Sequence, residues 1–113
     1  MAMFAMAVPL LPGKTEQFQR FIGELKGARF AEFKASRKKL GVRERTFLQN
    51  TPHGDFVVVT LEGADPASAF GRFAEGNDAF TEWFAKQVKE LHGFDVKAPP
   101  PGPLPSLVID SEG

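Results

Sequence analysis

The chain has 113 residues, of which 42% are hydrophobic, and this length is typical of one domain with a single core. The absence of cysteine excludes disulfides, thiolate metal sites and cysteine nucleophiles. The 14 basic and 14 acidic residues balance, and because nucleic-acid-binding domains usually carry a positive excess, we expect no nucleic-acid partner.

Positive charge is nevertheless concentrated between residues 29 and 45, a stretch that contains seven basic residues and two acidic ones. We interpret this stretch as a solvated helix face, with an anionic ligand or a dimer contact as the alternatives. No apolar run approaches the roughly 20 residues that span a membrane, and the apolar start lacks the basic residues of a signal peptide. We therefore expect a cytoplasmic protein that does not bind membranes.

Two elements are predicted before residue 27. Residues 3–11 are apolar and are followed by Pro12 and Gly13, which predicts a buried strand and then a turn. Thr15 is a candidate N-cap for a helix that Gly27 ends. Its apolar stripe has helical spacing and consists of Phe18, Phe21, Ile22 and Leu25.

A second helix and a hairpin are predicted next. The helix runs from about residue 28 to residue 40, with Gly41 as the residue that ends it. Residues 42–49 and 55–62 read as two strands, and the turn formers between them predict that they pair as a hairpin. The second of these strands is more apolar, so we expect it to be central.

Two more helices are predicted in the second half. Asp65 and Pro66 are typical of a helix start, and apolar residues near Phe70 give this helix a buried side. A further helix begins at Asn77 or Asp78 and ends at His92, before a glycine.

The last residues differ in composition. Five of the nine prolines lie in residues 97–105, which predicts an extended arm. Residues 104–110 include Leu107, Val108 and Ile109 and predict a short final strand that could reach a distant sheet edge or a partner subunit. We therefore divide the chain into a domain of residues 1–96 and an arm with its strand, residues 97–113.

The order strand, helix, strand, strand, helix, strand is that of ferredoxin-like α+β folds. With its Phe-rich first helix, its hairpin of VRERTFLQ and DFVVVTLE and its Trp-containing last helix, the chain resembles the dimeric α+β barrel superfamily. That superfamily includes antibiotic-biosynthesis monooxygenase-like proteins and stress-responsive α/β barrel proteins. The resemblance implies a homodimer in which two antiparallel sheets pack together, each leaving an apolar cavity against its helices.

The haem-degrading branch of the superfamily uses an asparagine on the first strand, and a tryptophan and a histidine on the last helix. Trp83 and His92 match that spacing on the last helix, but Met6 lies where the asparagine is expected. We therefore expect no cofactor, with haem bound through His92 as a minor alternative. The two histidines lack the spacing of a metal site, so no metal is predicted.

Five residues are candidates for binding a ligand, and none is assigned a catalytic role. They are Arg45, Glu62, Trp83, Phe84 and His92. Trp83 and Phe84 fit an apolar helix stripe and would line a pocket, while His92 or Arg45 would supply a polar contact. Arg45 and Glu62 could equally form a salt bridge at the rim, and His92 could cap its helix.

The resemblance leads to two functional hypotheses. The first is a small-molecule-binding protein similar to cofactor-independent monooxygenases that act on an apolar or aromatic substrate. The second is a non-catalytic homodimer of the stress-response type, whose interior is filled by its own side chains. The interior cavity distinguishes them, because the first hypothesis needs an open pocket with polar groups and the second does not.

Overall fold

The computed structural model describes residues 2–98 and 103–113. The α+β class is confirmed, since these residues form helices together with an antiparallel sheet. The elements in chain order are β1 (Ala2–Pro9), α1 (Thr15–Lys26), α2 (Phe30–Leu40), β2 (Val42–Thr51), β3 (Gly54–Gly63), α3 (Pro66–Ala74) and α4 (Ala79–His92).

The sheet has the strand order β1-β3-β2. β2 and β3 form the predicted hairpin, and β3 is central as predicted, because it pairs with β1 on its other side. Val59, in the middle of β3, lies opposite Met6 of β1 and Thr46 of β2. Both pairs are antiparallel, and this register fixes which side chains share a face.

One face of the sheet is covered by the helices and the other is open. Val57 and Leu61 of β3 point to the covered face and are 3% and 6% exposed. The core on this side joins β3 to α1 and α4, and its largest cluster consists of Leu10, Phe18, Phe21, Leu25, Val57, Phe80 and Leu91. The apolar stripe predicted for α1 therefore forms the centre of the core.

Most of the residues that were predicted to begin or end helices do so in the structure. The carboxylates of Asp65 and Asp78 accept hydrogen bonds from the backbone N–H groups of Ser68 and Thr81, as N-caps do. Gly41 ends α2 in the left-handed conformation. Thr15 is not the predicted N-cap, because its hydroxyl donates to Asp55 at the start of β3 and so ties α1 to the sheet.

The predicted final strand is not formed. Residues 103–109 are irregular, and the side chains of Leu107, Val108 and Ile109 are 76%, 90% and 84% exposed. A strand needs a neighbour for its backbone hydrogen bonds, and this segment has none within the chain as described. Residues 99–102, which hold three of the prolines of the predicted arm, lie outside the described residues.

Candidate functional site

A cavity of about 110 Å³ lies between the helices and the covered face of the sheet. Its wall is mainly apolar, with side chains from all three strands and from the helices. Val59 borders it from the middle of β3 and is half-buried, whereas its neighbours on the same face, Val57 and Leu61, are buried. The cavity therefore lies over the centre of the sheet.

An ion pair forms part of the wall. Arg37 of α2 donates from Nε to Glu44 of β2 across 2.7 Å, and both side chains are only 9% exposed. The guanidinium carbon of Arg37 lies 4.7–4.9 Å from the ring centroids of Phe33, Phe73 and Phe84. Hydrogen bonding and cation–π contacts thus offset the loss of water around this charge.

Sequence reasoning did not identify this pair. Arg37 lies in the basic stretch that we interpreted as a solvated helix face, and for this residue the interpretation is wrong, because its side chain is buried. The sequence contains a signal for Glu44, since it shares one side of β2 with the apolar residues Val42 and Leu48. A carboxylate on the covered face of a strand requires a buried partner.

His92 borders the cavity from the end of α4. Its Nδ1 lies 2.9 Å from the carbonyl oxygen of Pro9 at the end of β1, and the carbonyl can only accept, so Nδ1 carries the proton. Burial lowers the pKa of His92, and the hydrogen bond to Pro9 opposes this in part. In the neutral ring, Nε2 is then left as an acceptor.

Two of the five candidate residues, Phe84 and His92, line the cavity. Trp83, next to Phe84 in α4, instead packs against Phe21, with 5.4 Å between the ring centroids. The guanidinium carbon of Arg29 also lies 4.0 Å from the centroid of the Trp83 ring. Trp83 therefore joins α4 to α1 outside the cavity wall.

Arg45 and Glu62 lie on the open face of the sheet, where they form a salt bridge. Their side chains are 45% and 26% exposed. Because side chains alternate along a strand, neither can share the cavity with Phe84 and His92 on the covered face. The structure thus divides the five candidates between two faces of the sheet.

The open face is apolar at its centre. Phe47 of β2 is 53% exposed there, and Val58 of β3 lies between Phe47 and Ala7. Met3 of β1 is also 53% exposed and lies nearer the end of this face, opposite Glu62. Charged residues lie towards one end of this face, where Arg43 is opposite Glu62 of β3 and Arg45 is opposite Thr60. Nothing in the described chain covers this face.

A groove of about 480 Å³ runs beside β2, under α1 and α2. Its floor and walls include Leu48 and Thr46 of β2, Ile22 of α1, and Phe30 and Phe33 of α2. β2 is an edge strand, since β3 is its one strand partner among the described residues. The groove therefore follows an unpaired edge of the sheet.

The cavity between the helices and the sheet is too small for haem. Pockets for drug-sized ligands measure roughly 300–1,000 Å³, and haem is larger still than such ligands, so a cavity of about 110 Å³ does not fit it. Residues 2–98 and 103–113 contain no group of three His, Cys, Asp or Glu placed to hold a metal ion. In the same residues, no helix is long and apolar enough to cross a membrane.

No protein-family model, curated protein or solved structure matches this chain.

Proposed function

We propose that this protein binds a small, mostly apolar molecule in the cavity between its helices and its sheet, and that it acts as a homodimer of the dimeric α+β barrel type. The observation that carries the proposal is the wall of the cavity. It is largely apolar and includes a few polar groups, chiefly His92 and the pair of Arg37 and Glu44. Small-molecule sites have this composition, because apolar walls bind the body of the ligand and polar groups orient it.

The cavity volume sets the size of the ligand. A dry, enclosed cavity of about 150 Å³ in another protein admits benzene, so a cavity of about 110 Å³ that is open on one side favours a molecule of about one small ring whose substituent reaches the opening. A ring with one hydroxyl suits this wall, because the hydroxyl can donate to the free Nε2 of His92 while the ring contacts Phe84.

The homodimer is supported by the open face of the sheet. An antiparallel sheet with apolar side chains such as Phe47 and Met3 exposed on one face gains stability when another surface covers it. A second copy presents the same surface, and a two-fold axis pairs like with like. The element order supports a ferredoxin-like topology in which a fourth strand comes from the last residues.

Cofactor-independent oxygenation of an aromatic substrate is the chemistry that we propose for a catalytic form of this site. Such a reaction needs an oxidisable substrate whose anion reacts with oxygen, and a group that takes the proton. His92 is the group suited to this step, because burial holds its imidazole neutral and Nε2 can accept a proton.

The second candidate function is a non-catalytic homodimer with a filled interior. The observation that favours it is the aromatic packing around Phe84, which contacts Phe21 and Phe73 at centroid distances of 5.3 and 5.4 Å. Side chains that pack so closely leave less room for a ligand than the roughly 300 Å³ that a typical ligand pocket offers.

A titration with phenol distinguishes the two candidates. We expect phenol to shift the methyl resonances of Val59, Leu61 and Val88 along a saturable curve, because these residues line the cavity. Val59→Phe fills the cavity and should abolish the shifts. Val58→Phe, on the opposite face of the same strand, is the matched control and should retain them. Shifts that persist in Val59→Phe would refute binding in the cavity.

A further inference from the structure

The cavity and the groove beside β2 share part of their walls. Five residues border both spaces, three of them from α1 and two from β2. They are Phe18, Ile22, Leu25, Glu44 and Thr46. A molecule in the cavity is therefore separated from the groove by no more than one layer of side chains, and the cavity is open on one side.

The groove is larger than the cavity and is also mainly apolar. It measures about 480 Å³, and its wall beyond the shared residues includes the side chains of Phe30, Phe33, Phe47 and Leu48. Phe30 and Phe47 are 49% and 53% exposed, so an apolar group that covers them is stabilised by the removal of their surface from water. Small-molecule sites measure roughly 300–1,000 Å³, a range that the groove reaches and the cavity alone does not.

The polar groups between the two spaces already have partners. One carboxylate oxygen of Glu44 accepts a hydrogen bond from Nε of Arg37, and the other accepts one from the hydroxyl of Thr46. Burial of a polar group is costly when it has no hydrogen-bond partner. Because Glu44 and Thr46 satisfy each other, an apolar chain can lie against them without that cost.

The positions of the polar groups set the direction of the ligand. His92 contacts Pro9 at the end of β1, whereas Glu44 and Thr46 belong to β2, on the other side of β3. β1 and β2 lie two strand spacings apart, which is about 10 Å. A ring whose hydroxyl donates to Nε2 of His92 therefore has its para position on the side of β2 and the groove.

We propose that the ligand is a phenol that carries an apolar chain opposite its hydroxyl, with the ring in the cavity and the chain in the groove beside β2. This inference rests on the proposed cavity site and names its class of ligand. The cavity and the groove then form one site, in which His92 binds the hydroxyl and the apolar side chains of α1, α2 and β2 bind the chain. An added β-strand on the edge of β2 is the alternative occupant of the groove.

Calorimetric titrations with phenol, 4-ethylphenol, 4-butylphenol and 4-hexylphenol test this proposal. Burial of one methylene group raises affinity by at most about fourfold. We expect a gain of about two- to fourfold per methylene along the whole series, because the groove continues the cavity. Affinity that stays level or falls beyond 4-ethylphenol, while phenol itself binds, would overturn the proposal and leave the proposed function intact; a strand that already fills the groove would give this result.

A glycine of α1 allows the groove to be filled without a change in the cavity wall. Gly23 lines the groove, and a Cβ at this position meets nothing within 4 Å, so Gly23→Leu should fold. Gly71→Leu in α3 is the matched control, because a Cβ there also meets nothing within 4 Å and Gly71 borders neither space. We expect Gly23→Leu to bind phenol as the wild type does and to lose at least tenfold in affinity for 4-hexylphenol, and Gly71→Leu to retain both affinities.

Two further outcomes locate the chain and separate this inference from the proposed function. An affinity for 4-hexylphenol that Gly23→Leu leaves unchanged, or that Gly71→Leu lowers equally, would overturn binding of the chain in the groove. Val59→Phe fills the cavity and should abolish binding of the whole series, so 4-hexylphenol that still binds to this variant would overturn the joint site. A wild-type protein that does not bind phenol would refute the proposed function, and this inference with it.

Discussion

Arg37 is a charged side chain buried among apolar ones, so its loss should lower the stability strongly. It is 8% exposed and holds Glu44 at 2.7 Å inside the core. Removing one partner of such a pair leaves the other charge buried without compensation, at a cost of about 3–5 kcal/mol. Replacing both partners by apolar residues removes the two desolvation costs together and is often close to neutral.

We therefore predict that Arg37→Met lowers the free energy of unfolding by about 3 kcal/mol or more, and that Arg37→Met with Glu44→Leu recovers most of the loss. Urea denaturation measures both. Arg45→Met is the matched control, because Arg45 belongs to an exposed pair whose loss should cost less than about 1 kcal/mol. Equal losses for Arg37→Met and Arg45→Met would contradict the burial of the inner pair.

His92 should make stability depend on pH. Its pKa is lowered by burial in the folded chain, so the unfolded chain binds the proton more readily, near the ordinary pKa of about 6.5. The stability contributed by neutral His92 is therefore complete above that pH and is lost as pH falls through the lowered pKa. Hydrogen bonds from Thr15 and Thr81 lower the pKa values of Asp55 and Asp78 from the ordinary range of a carboxyl group, so their contributions are lost in a more acidic range.

The expected result is a decrease in the free energy of unfolding of the wild-type protein as the pH falls below about 6.5. His92→Asn should flatten this decrease, and His53→Asn, at the exposed hairpin turn, should not. Denaturant titrations at several pH values give the slopes. A slope unchanged by His92→Asn would contradict the burial of the imidazole.

At the scale of the elements, two glycines have opposite roles. A Cβ at Gly63, the last residue of β3, would collide with the carbonyl oxygen of Gly41, which lies between α2 and β2. Gly71 lies within α3, and a Cβ there would meet nothing within 4 Å. The first glycine permits the close approach of two strands, while the second only adds flexibility to the unfolded chain.

Gly63→Ala should therefore lower the free energy of unfolding by about 1–3 kcal/mol through overpacking. Gly71→Ala should raise it by about 0.5–1 kcal/mol. Thermal unfolding of the two variants beside the wild type measures both signs. A stabilising Gly63→Ala would show that the two backbones do not approach as closely as described.

Most elements could be predicted from the sequence because their signals are local. The apolar stripe of α1, the caps Asp65 and Asp78, and Gly41 each act within a few residues. The burial of Arg37 could not be predicted, because it depends on Glu44 and on aromatic rings from other elements. Residues 104–110 have the composition of a strand, but a strand also needs a neighbour for its backbone hydrogen bonds, and these residues have none among the described residues.

The candidate site shows the same limit. His92 and Phe84 were identified by residue type and helical spacing, and they do line the cavity. Arg45 and Glu62 were grouped with them, but the pairing register sends both to the open face. A shift of one residue in a strand exchanges the two faces, so the sequence alone does not decide which polar residues reach a cavity.

At the scale of the whole molecule, the sheet separates two surfaces with different proposed roles. The covered face bears the cavity with Phe84 and His92, and the open face is available to a second copy. Ligand binding and assembly then depend on different residues. Variants of the open face should change assembly without changing the cavity, and variants of Val59 should do the reverse.

The central claim is that the interior holds space for a small apolar molecule. Xenon tests it directly, because dry apolar cavities bind this gas. In crystals of the wild-type protein under xenon pressure, we predict xenon density between Val59 and Phe84, and none there in Val59→Phe crystals. Wild-type crystals without xenon at this position would show that side chains fill the interior, which would contradict the account and favour the non-catalytic homodimer.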